Sequence, residues 1–218
     1  PTTTCSGHDV LKAEWSDSDQ KYLKGRKNLT YYFLTQDITF DVCSLGECDT
    51  VTSVAYTESN TIIAKQQLEK LSNSINIQFT PKPAPDFSNP DTIADITIAL
   101  VTYPDASQYG QAAELKEYPT KTVLLLNTEA AGGDKTKVFS GHLFLHELGH
   151  ILGLKHPFED NTSKPAPCNF SSEEFGPKAV TTDKTLMAYE ADRIQNTDMS
   201  WYRKLDMATL CSIWGEKQ

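Results

Sequence analysis

The chain of 218 residues has the length of one domain, and its 39% hydrophobic and 22% charged residues are typical of a globular protein. With 20 Lys+Arg against 29 Asp+Glu, its formal net charge is −9, which repels phosphate backbones and anionic lipids, so nucleic acid is not an expected partner. No apolar run approaches the roughly 20 residues that cross a bilayer, and no membrane span is expected.

The first half of the chain is predicted to contain three strands and one helix. Residues 29–34 are rich in β-branched and aromatic side chains, and residues 75–80 and 94–101 alternate apolar with polar positions. Residues 61–73 carry apolar side chains near helical spacing, which predicts an amphipathic helix. Its core face is expected to contain Ile62, Ile63, Leu68 and Leu71.

In the second half, residues 121–127 predict a fourth strand, and a long helix is predicted to begin near Ser140 and to end near Gly153. This helix is apolar on most sides, which indicates a buried position. Residues 157–184 are rich in Pro, Ser and Asn and predict an irregular loop, whose length suggests a functional role. A last helix is predicted over residues 202–214. Its core-facing residues are expected to be Leu205, Ala208, Leu210 and Ile213.

A string of histidines lies on the long helix. His146 and His150 are one turn apart on the same face, so both imidazoles can reach one metal ion. Glu147 is rotated by about 100° from His146, where its carboxylate can act as a general base for a water molecule. Gly153 can adopt the left-handed conformation that ends a helix, so that the chain turns back and His156 arrives as third ligand. Three imidazoles and one open position predict a catalytic zinc site.

A single helical histidine is more often a hydrogen-bonded core or surface residue than a metal ligand. Five specified positions in one string, however, would arise by chance in a chain of this size on the order of once in 10⁵. We therefore interpret the string as a zinc site. His142 lies one turn before His146 and is interpreted as a residue that supports the ligands or is partly exposed.

This string resembles the long zinc signature of the metzincin metalloproteases. Further along the chain, Met187 and its neighbour Tyr189 resemble the methionine turn of these enzymes. Pro157 directly after the third histidine is similar to the serralysin group. Residues 202–215 are similar to the C-terminal helix of serralysin catalytic domains, and residues 29–34 to their first strand.

The resemblance implies an α+β fold in two lobes, with a twisted, mostly parallel sheet, an antiparallel edge strand, an active-site helix and a C-terminal helix. No repeat or Gly/Ser-rich linker divides the sequence. We therefore expect a single catalytic domain over residues 1–218. Its upper lobe would comprise about residues 1–153 and its lower lobe about residues 154–218, with the cleft between them.

The resemblance also implies an activity, the hydrolysis of protein or peptide substrates by an endopeptidase with one catalytic Zn²⁺. Glu147 would take a proton from the attacking water and deliver it to the leaving amine. Tyr189 would be a zinc ligand at rest and would swing to hydrogen-bond the tetrahedral intermediate, while Gly153 and Met187 would shape the site. The alternative is a non-enzymatic secreted binding module or toxin domain with structural zinc, in which Tyr189 would be the fourth ligand.

The sequence departs from the serralysin pattern at two points. Thr185 and Ala188 replace the serines that usually lie on either side of the turn methionine, and the turn should tolerate such small residues. No glycine- and aspartate-rich repeats follow Gly215, so the resemblance is to the catalytic domain without the calcium-binding repeat domain. Calcium is therefore not indicated. We expect a monomer, and the resemblance allows for a protein inhibitor or a pro-segment as a further partner.

Metzincins are similar to one another in laying the substrate antiparallel along an edge strand. The last strand before the zinc helix is the candidate for this role here, and an ordinary apolar core strand is the alternative. The predicted substrate-binding residues are Thr122, Val123, Leu124, Leu125, Leu126 and Asn127.

The five cysteines permit two disulfides, which favours secretion into an extracellular, oxidising environment over a compartment with free thiols. We predict a pair between Cys43 and Cys48 because they are close in sequence. Cys168 is predicted to pair with Cys211 because both belong to the lower lobe. Cys5 is then left over, and its thiolate could occupy the open zinc position and hold an enzyme latent. Pairing of Cys5 with Cys168 or Cys211, or an idle thiol, is the simpler alternative.

Overall fold

The computed structural model of the protein describes residues 23, 25–44, 46–103, 108–154, 156, 185–187 and 201–217. Its strands are β1 (Asn28–Leu34), β2 (Thr39–Ser44), β3 (Glu47–Thr52), β4 (Gln78–Pro81), β5 (Ile96–Val101), β6 (Gly110–Leu115) and β7 (Tyr118–Asn127). Its α-helices are α1 (Ile62–Ser74), α2 (Lys135–Ser140), α3 (His142–Ile151) and α4 (Lys204–Trp214). Short 3₁₀ turns cover Glu58–Thr61 and Glu129–Ala131.

The seven strands form one sheet in the order β3-β2-β6-β7-β5-β1-β4. Strands β4, β1, β5 and β7 are parallel neighbours. Strand β6 runs antiparallel to β7, and β2 and β3 continue this antiparallel side of the sheet. The predicted fold class, a mostly parallel sheet with an antiparallel side and packed helices, is confirmed.

The sheet buries both of its faces in the middle. On one face, Leu124 and Leu126 of β7 belong to the main core, to which all four helices contribute apolar side chains. Val123 and Leu125 point to the other face, where they pack with residues of β2, β5 and β6 in a second apolar cluster. A strand that is buried on both faces reads as a continuous apolar run, and this explains the sequence of β7.

The buried faces of two helices differ from their predicted ones. At the start of α1, Ile62 and Ile63 are 53% and 38% exposed, because the core-facing stripe runs instead through Ala64, Leu68 and Leu71. In α4, Leu210 is buried as predicted, but Ala208 is exposed and Ile213 is only partly buried. The buried stripe of α4 begins at a polar residue and consists of Asp206, Thr209, Leu210 and Trp214.

Several elements lie outside the prediction or differ from it in extent. Strands β2, β3 and β6 and helix α2 were not predicted. The predicted strand over residues 75–80 is limited to β4, and Ile75 only forms an isolated bridge with Glu216. Extended backbone at Gly141 separates α2 from α3, so α3, the helix that carries His146 and His150, begins at His142.

The cysteines confirm one predicted pair and correct the other. Cys43 and Cys48 form a disulfide with an S–S distance of 2.01 Å. The predicted pair of Cys168 with Cys211 is wrong, because Cys211 has a free thiol that packs, partly buried, against the main core from α4. Cys5, Cys168 and the loop of residues 157–184 lie outside the described residues, so the lobe boundaries remain a prediction. None of the described helices combines the length and the apolar character of a membrane span.

Candidate metal centre

The end of α3 turns the chain back as the glycine spacing predicts. Gly153 has a φ of 99°, a conformation that favours glycine. Around it, the Leu154 N–H donates to the Gly149 carbonyl at 2.9 Å, and the Gly153 N–H donates to the His150 carbonyl at 3.1 Å. This pair of hydrogen bonds is the Schellman arrangement of a helix C-terminus. It brings His156 back towards the helix that it follows.

The three predicted histidine ligands meet at one point. His146 Nε2 lies 3.1 Å from His156 Nε2, and His150 Nε2 lies 3.0 Å from the same atom. Zinc–nitrogen bonds of about 2.0–2.1 Å at tetrahedral angles would separate ligand nitrogens by about 3.3 Å. The spacing of the three nitrogens therefore fits a shared metal ion. His146 and His156 are buried and His150 is partly buried.

Hydrogen bonds on the far side of the rings determine which nitrogen faces the centre. His146 Nδ1 lies 2.8 Å from the Leu186 carbonyl, and His150 Nδ1 lies 2.9 Å from the Leu154 carbonyl. Since a carbonyl oxygen can only accept, each Nδ1 carries the proton and each Nε2 of a neutral ring presents a lone pair to the centre. Burial and the neighbouring histidines lower the pKa of His146 well below its usual value, so this ring is neutral. Converging lone pairs repel one another unless a cation lies between them.

His142 supports the centre from behind. It is buried, and its Nε2 lies 2.7 Å from the Leu186 carbonyl and 3.1 Å from His146 Nδ1. His142 therefore supports the ligands, as one of the two interpretations of the sequence predicted, and it is not an exposed residue. The Leu186 carbonyl contacts two histidines of α3 and fixes the orientation of the His146 ring.

Glu147 lies on the side of α3 that faces β6. A Cβ atom at Gly110 would lie 2.7 Å from Glu147 Cγ and 2.8 Å from the Leu125 carbonyl oxygen, so only glycine fits between the strand and the carboxylate. Burial raises the pKa of Glu147 to about 8. A carboxylate in such surroundings is a stronger base than an exposed one, which suits the acceptance of a proton.

Substitution of this glycine tests whether its close approach positions the carboxylate. We expect Gly110→Ala to lower kcat/KM for peptide hydrolysis by about 10²-fold, because the new methyl group displaces Glu147. The metal content should not change, since the atoms nearest to the new methyl group belong to Glu147 and Leu125. Wild-type kcat/KM in a variant with full metal content would contradict this role for Gly110.

Met187 packs against α3 at Gly149. A Cβ atom at Gly149 would lie 2.9 Å from Met187 Sδ, so the absence of a side chain at Gly149 lets the sulfur approach α3 between the turns that carry His146 and His150. Met187 is fully buried, and its N–H donates to Thr185 Oγ1 at 3.0 Å. Tyr189 lies outside the described residues, and its place beside the centre remains a prediction.

Asp206 of α4 holds the turn at residues 185–187 in place. Its carboxylate accepts hydrogen bonds from the Leu186 N–H at 2.9 Å, from Thr185 Oγ1 at 2.5 Å and from the Arg203 N–H at 2.8 Å. Asp206 therefore connects the start of α4 to the residue whose carbonyl orients His146. An acidic residue near a helix start suggests an N-terminal cap, but the contact with Leu186 has no signal in the sequence.

The predicted substrate strand is wrong as an edge strand. Over residues 122–127, β7 pairs with β5 on one side, and on the other it pairs with β6 or, at Asn127, bonds to Tyr109. Its backbone groups are therefore used within the sheet, and a substrate cannot pair with them. The continuous apolar run of residues 123–126 is the signal that could have indicated a central strand. Strand β6, which carries Gly110, is the neighbour of β7 on the antiparallel side of the sheet.

Comparison with known proteins gives the family to which this fold and this histidine centre belong. The family model described as metallo-peptidase family M12 matches residues 25–201, and the chain belongs to this family. The prediction of a metzincin-type catalytic domain is thereby confirmed. The histidine triad can hold the catalytic metal that a metallo-peptidase family implies.

One relative is similar in sequence, and solved structures are similar in fold. Serralysin B from Dickeya chrysanthemi is 31% identical over 144 residues, which cover 63% of this chain and 27% of the relative. The chain thus spans only about a quarter of the length of that protein. Among solved structures, a chain of the GM1-bound ECX AB5 holotoxin has a TM-score of 0.50 at 14% identity, over 96% of this chain and 90% of that chain, which is a likeness of fold alone. Myroilysin has a TM-score of 0.49 at 13% identity, over 92% and 99%.

Proposed function

We propose that the protein is a secreted, serralysin-like zinc endopeptidase that cleaves extended peptides with Glu147 as general base. One observation carries this proposal, the convergence of three histidine Nε2 atoms beside a buried glutamate on the same helix. A purely structural zinc site needs no base and usually closes its fourth position with a protein ligand. The buried glutamate therefore favours an enzyme over a non-enzymatic binding module.

The three histidine donors favour zinc as the metal. Three neutral imidazoles without a carboxylate or a thiolate suit zinc better than the oxygen-seeking calcium or magnesium ions. His146, His150 and His156 would hold the ion through Nε2, and Tyr189 would be an additional ligand by resemblance. When bound, zinc supplies Lewis acidity that polarises the scissile carbonyl and acidifies water.

The residues of the chain supply the remaining steps. Glu147 accepts the proton of the attacking water at its carboxylate and passes that proton to the amine of the leaving peptide. Gly110 keeps the carboxylate against β6. The Leu186 and Leu154 carbonyls keep the protons of His146 and His150 on Nδ1, so the rings stay oriented during turnover. Met187 supports this helix from below.

Strand β6 is the substrate-binding strand in this proposal. The Asn127 N–H donates to the Tyr109 carbonyl, which makes these two residues a hydrogen-bonded pair, and such pairs alternate along an antiparallel ladder. Every second residue of β6 after Tyr109 therefore bonds to β7. Gly110 and Ala112 direct their N–H and C=O groups to the opposite side, where an extended peptide can pair with them.

The position of this edge supports its role. Among the described residues, β2 pairs with β6 only at Glu114 and Leu115, so the edge from Gly110 to Ala113 has no strand partner there. A peptide that pairs with Gly110 lies beside Glu147, the base that the reaction needs. Because backbone pairing does not depend on side chains, affinity along this edge is largely independent of sequence.

Secretion is supported by the disulfide between Cys43 and Cys48, since such bonds persist in oxidising compartments. The proposal also includes a monomeric state and a single domain over residues 1–218. A protein inhibitor or a pro-segment is proposed as a further partner.

Metal removal tests the proposed activity. The protein is incubated with a peptide library before and after treatment with 1,10-phenanthroline, and cleavage sites are identified by mass spectrometry. We expect cleavage within peptides, its loss on chelation, and its return with about one equivalent of added zinc. Cleavage that persists in metal-free protein, or a zinc-loaded protein that cleaves no peptide, would contradict the proposed function.

A further inference from the structure

The β2–β3 hairpin ends beside the open edge of β6. In the ladder between β2 and β6, Val42 pairs with Leu115 and Cys43 pairs with Glu114. The two strands are antiparallel, so the next residue of β2, Ser44, is beside Ala113. There the hairpin turns, with Ser44 paired to Glu47 and with Gly46 at a φ of 85°. The tip of the hairpin, which we define by Ser44, Gly46 and Glu47, therefore lies where the open edge ends.

The disulfide lies on the face of the sheet that faces α3, at this boundary. Gly110 faces Glu147, and alternate residues of a strand share a face, so Glu114 points to the same side as Gly110. Residues paired across a ladder also share a face, which puts Cys43 and its partner Cys48 on that side as well. The disulfide joins the two arms of the hairpin directly behind its tip. The arms therefore cannot separate where the hairpin meets β6.

A substrate that runs antiparallel to β6 meets this tip on its N-terminal side. Its residue opposite Gly110 lies beside Glu147, and its preceding residues lie opposite Gln111 and Ala112 in turn. The residue before those would have to occupy the position of Ser44, which lies beside Ala113 at the end of β2. Backbone pairing upstream of the reaction centre is thus limited to the edge that the hairpin leaves open.

We propose that the disulfide-closed β2–β3 hairpin is a specificity-determining element that closes the substrate edge at Ala113. The inference rests on the proposed function, because it takes β6 as the substrate strand. The protein accordingly selects peptides whose chain ends or bends away after about two residues upstream of the residue opposite Gly110. The favoured substrate class is flexible segments and chain termini, whereas long β-strands are disfavoured.

A peptide series with a variant hairpin tests this proposal. Quenched fluorescent peptides share one downstream half and carry one to six upstream residues. For the zinc-loaded wild type, we expect kcat/KM to rise with the first upstream residues and then to stay within about twofold. The variant lengthens the hairpin by Thr-Thr after Ser44 and Thr-Lys before Glu47, which extends the tip along Ala112. In this variant, kcat/KM should fall at least tenfold for the longest peptides and less than twofold for the shortest.

The matched control inserts the same four residues between Ser88 and Asn89, in an exposed turn. It should keep the wild-type ratio of kcat/KM for long peptides to kcat/KM for short peptides. If the lengthened hairpin lowers zinc content, the double variant Cys43→Ser/Cys48→Ser provides the opposite test, because a loosened tip should favour the longest peptides relative to wild type. If the ratio of kcat/KM for long peptides to kcat/KM for short peptides is unchanged in both hairpin variants, the role of the hairpin is overturned, but the proposed function is not. Absence of all cleavage by zinc-loaded wild type would overturn the proposed function and this inference with it.

Discussion

Glu147→Gln is expected to lower kcat for peptide hydrolysis by ~10²–10⁴-fold while the protein keeps its metal. The amide has nearly the shape of the carboxylate, so it fits against Gly110, but it cannot take the proton of the attacking water. The three imidazoles that form the metal centre are unaffected, because Glu147 points towards β6. Turnover of a quenched peptide and zinc content by atomic absorption are measured on the same preparation.

A matched control separates this effect from a change in charge. Glu129→Gln removes an exposed carboxylate in the 3₁₀ turn after β7 and should leave kcat unchanged. Wild-type turnover in Glu147→Gln would remove Glu147 from the reaction. Loss of zinc together with turnover would indicate that Glu147 supports the metal centre itself.

Asp206→Ala is expected to weaken both the fold and the metal centre, because Asp206 holds the turn whose Leu186 carbonyl orients His146. The substitution leaves the Leu186 N–H, the Thr185 hydroxyl and the Arg203 N–H without their acceptor, at about 1–3 kcal/mol for each buried group that water does not reach. We expect the free energy of unfolding to fall by about 3–5 kcal/mol. Zinc affinity should fall by about 10–100-fold, because the Leu186 carbonyl no longer holds the His146 ring firmly.

Two further variants distinguish positioning from general destabilisation. Leu68→Ala creates a cavity in the main core on α1 and should cost about 2–5 kcal/mol without a change in zinc affinity at a temperature well below unfolding. Asp206→Asn keeps one acceptor oxygen and should lie between wild type and Asp206→Ala. Denaturant unfolding and competitive zinc titration measure the two quantities. Equal losses of zinc affinity in Asp206→Ala and Leu68→Ala would contradict a positioning role.

The metal centre is the part of the molecule that the sequence predicts best, because its geometry is local. The helical spacing of His146 and His150 puts their imidazoles on one face, and a glycine at the helix end returns His156 to them. No long-range contact is needed for these steps. The predictions of β1, from a run of β-branched and aromatic residues, and of α1, from helical spacing of apolar residues, succeed for the same reason.

The antiparallel side of the sheet could not be predicted in this way, because its sequences carry weak strand signals. Strand β6 begins Gly-Gln-Ala-Ala, small residues with low strand propensity, and it is held by its pairing with β7. Strand β3 is mostly exposed and lacks an apolar face. The identity of the substrate edge depends on which strand lies outside β7, and that is a property of topology alone.

Tertiary contacts also explain the errors in the helices. Ile62 and Ile63 satisfy the apolar pattern of α1, but they lie in the first turn of this helix, directly after a 3₁₀ turn, where both side chains are exposed. In α4, the buried position of Asp206 is stabilised by donors from a distant turn, which no periodicity of apolar residues can indicate. Sequence reasoning therefore misses buried polar residues whose hydrogen-bond partners are far away in the sequence.

The central claim, that the three histidines form a catalytic zinc site, is tested most directly by diffraction from crystals of the zinc-loaded protein on both sides of the zinc absorption edge. We expect one anomalous peak per chain, at about 2.0–2.1 Å from Nε2 of His146, His150 and His156. The position beside Glu147 should remain accessible to water or to a peptide. A zinc peak elsewhere in the chain, zinc bound through Nδ1, or no zinc at the three histidines would contradict the account.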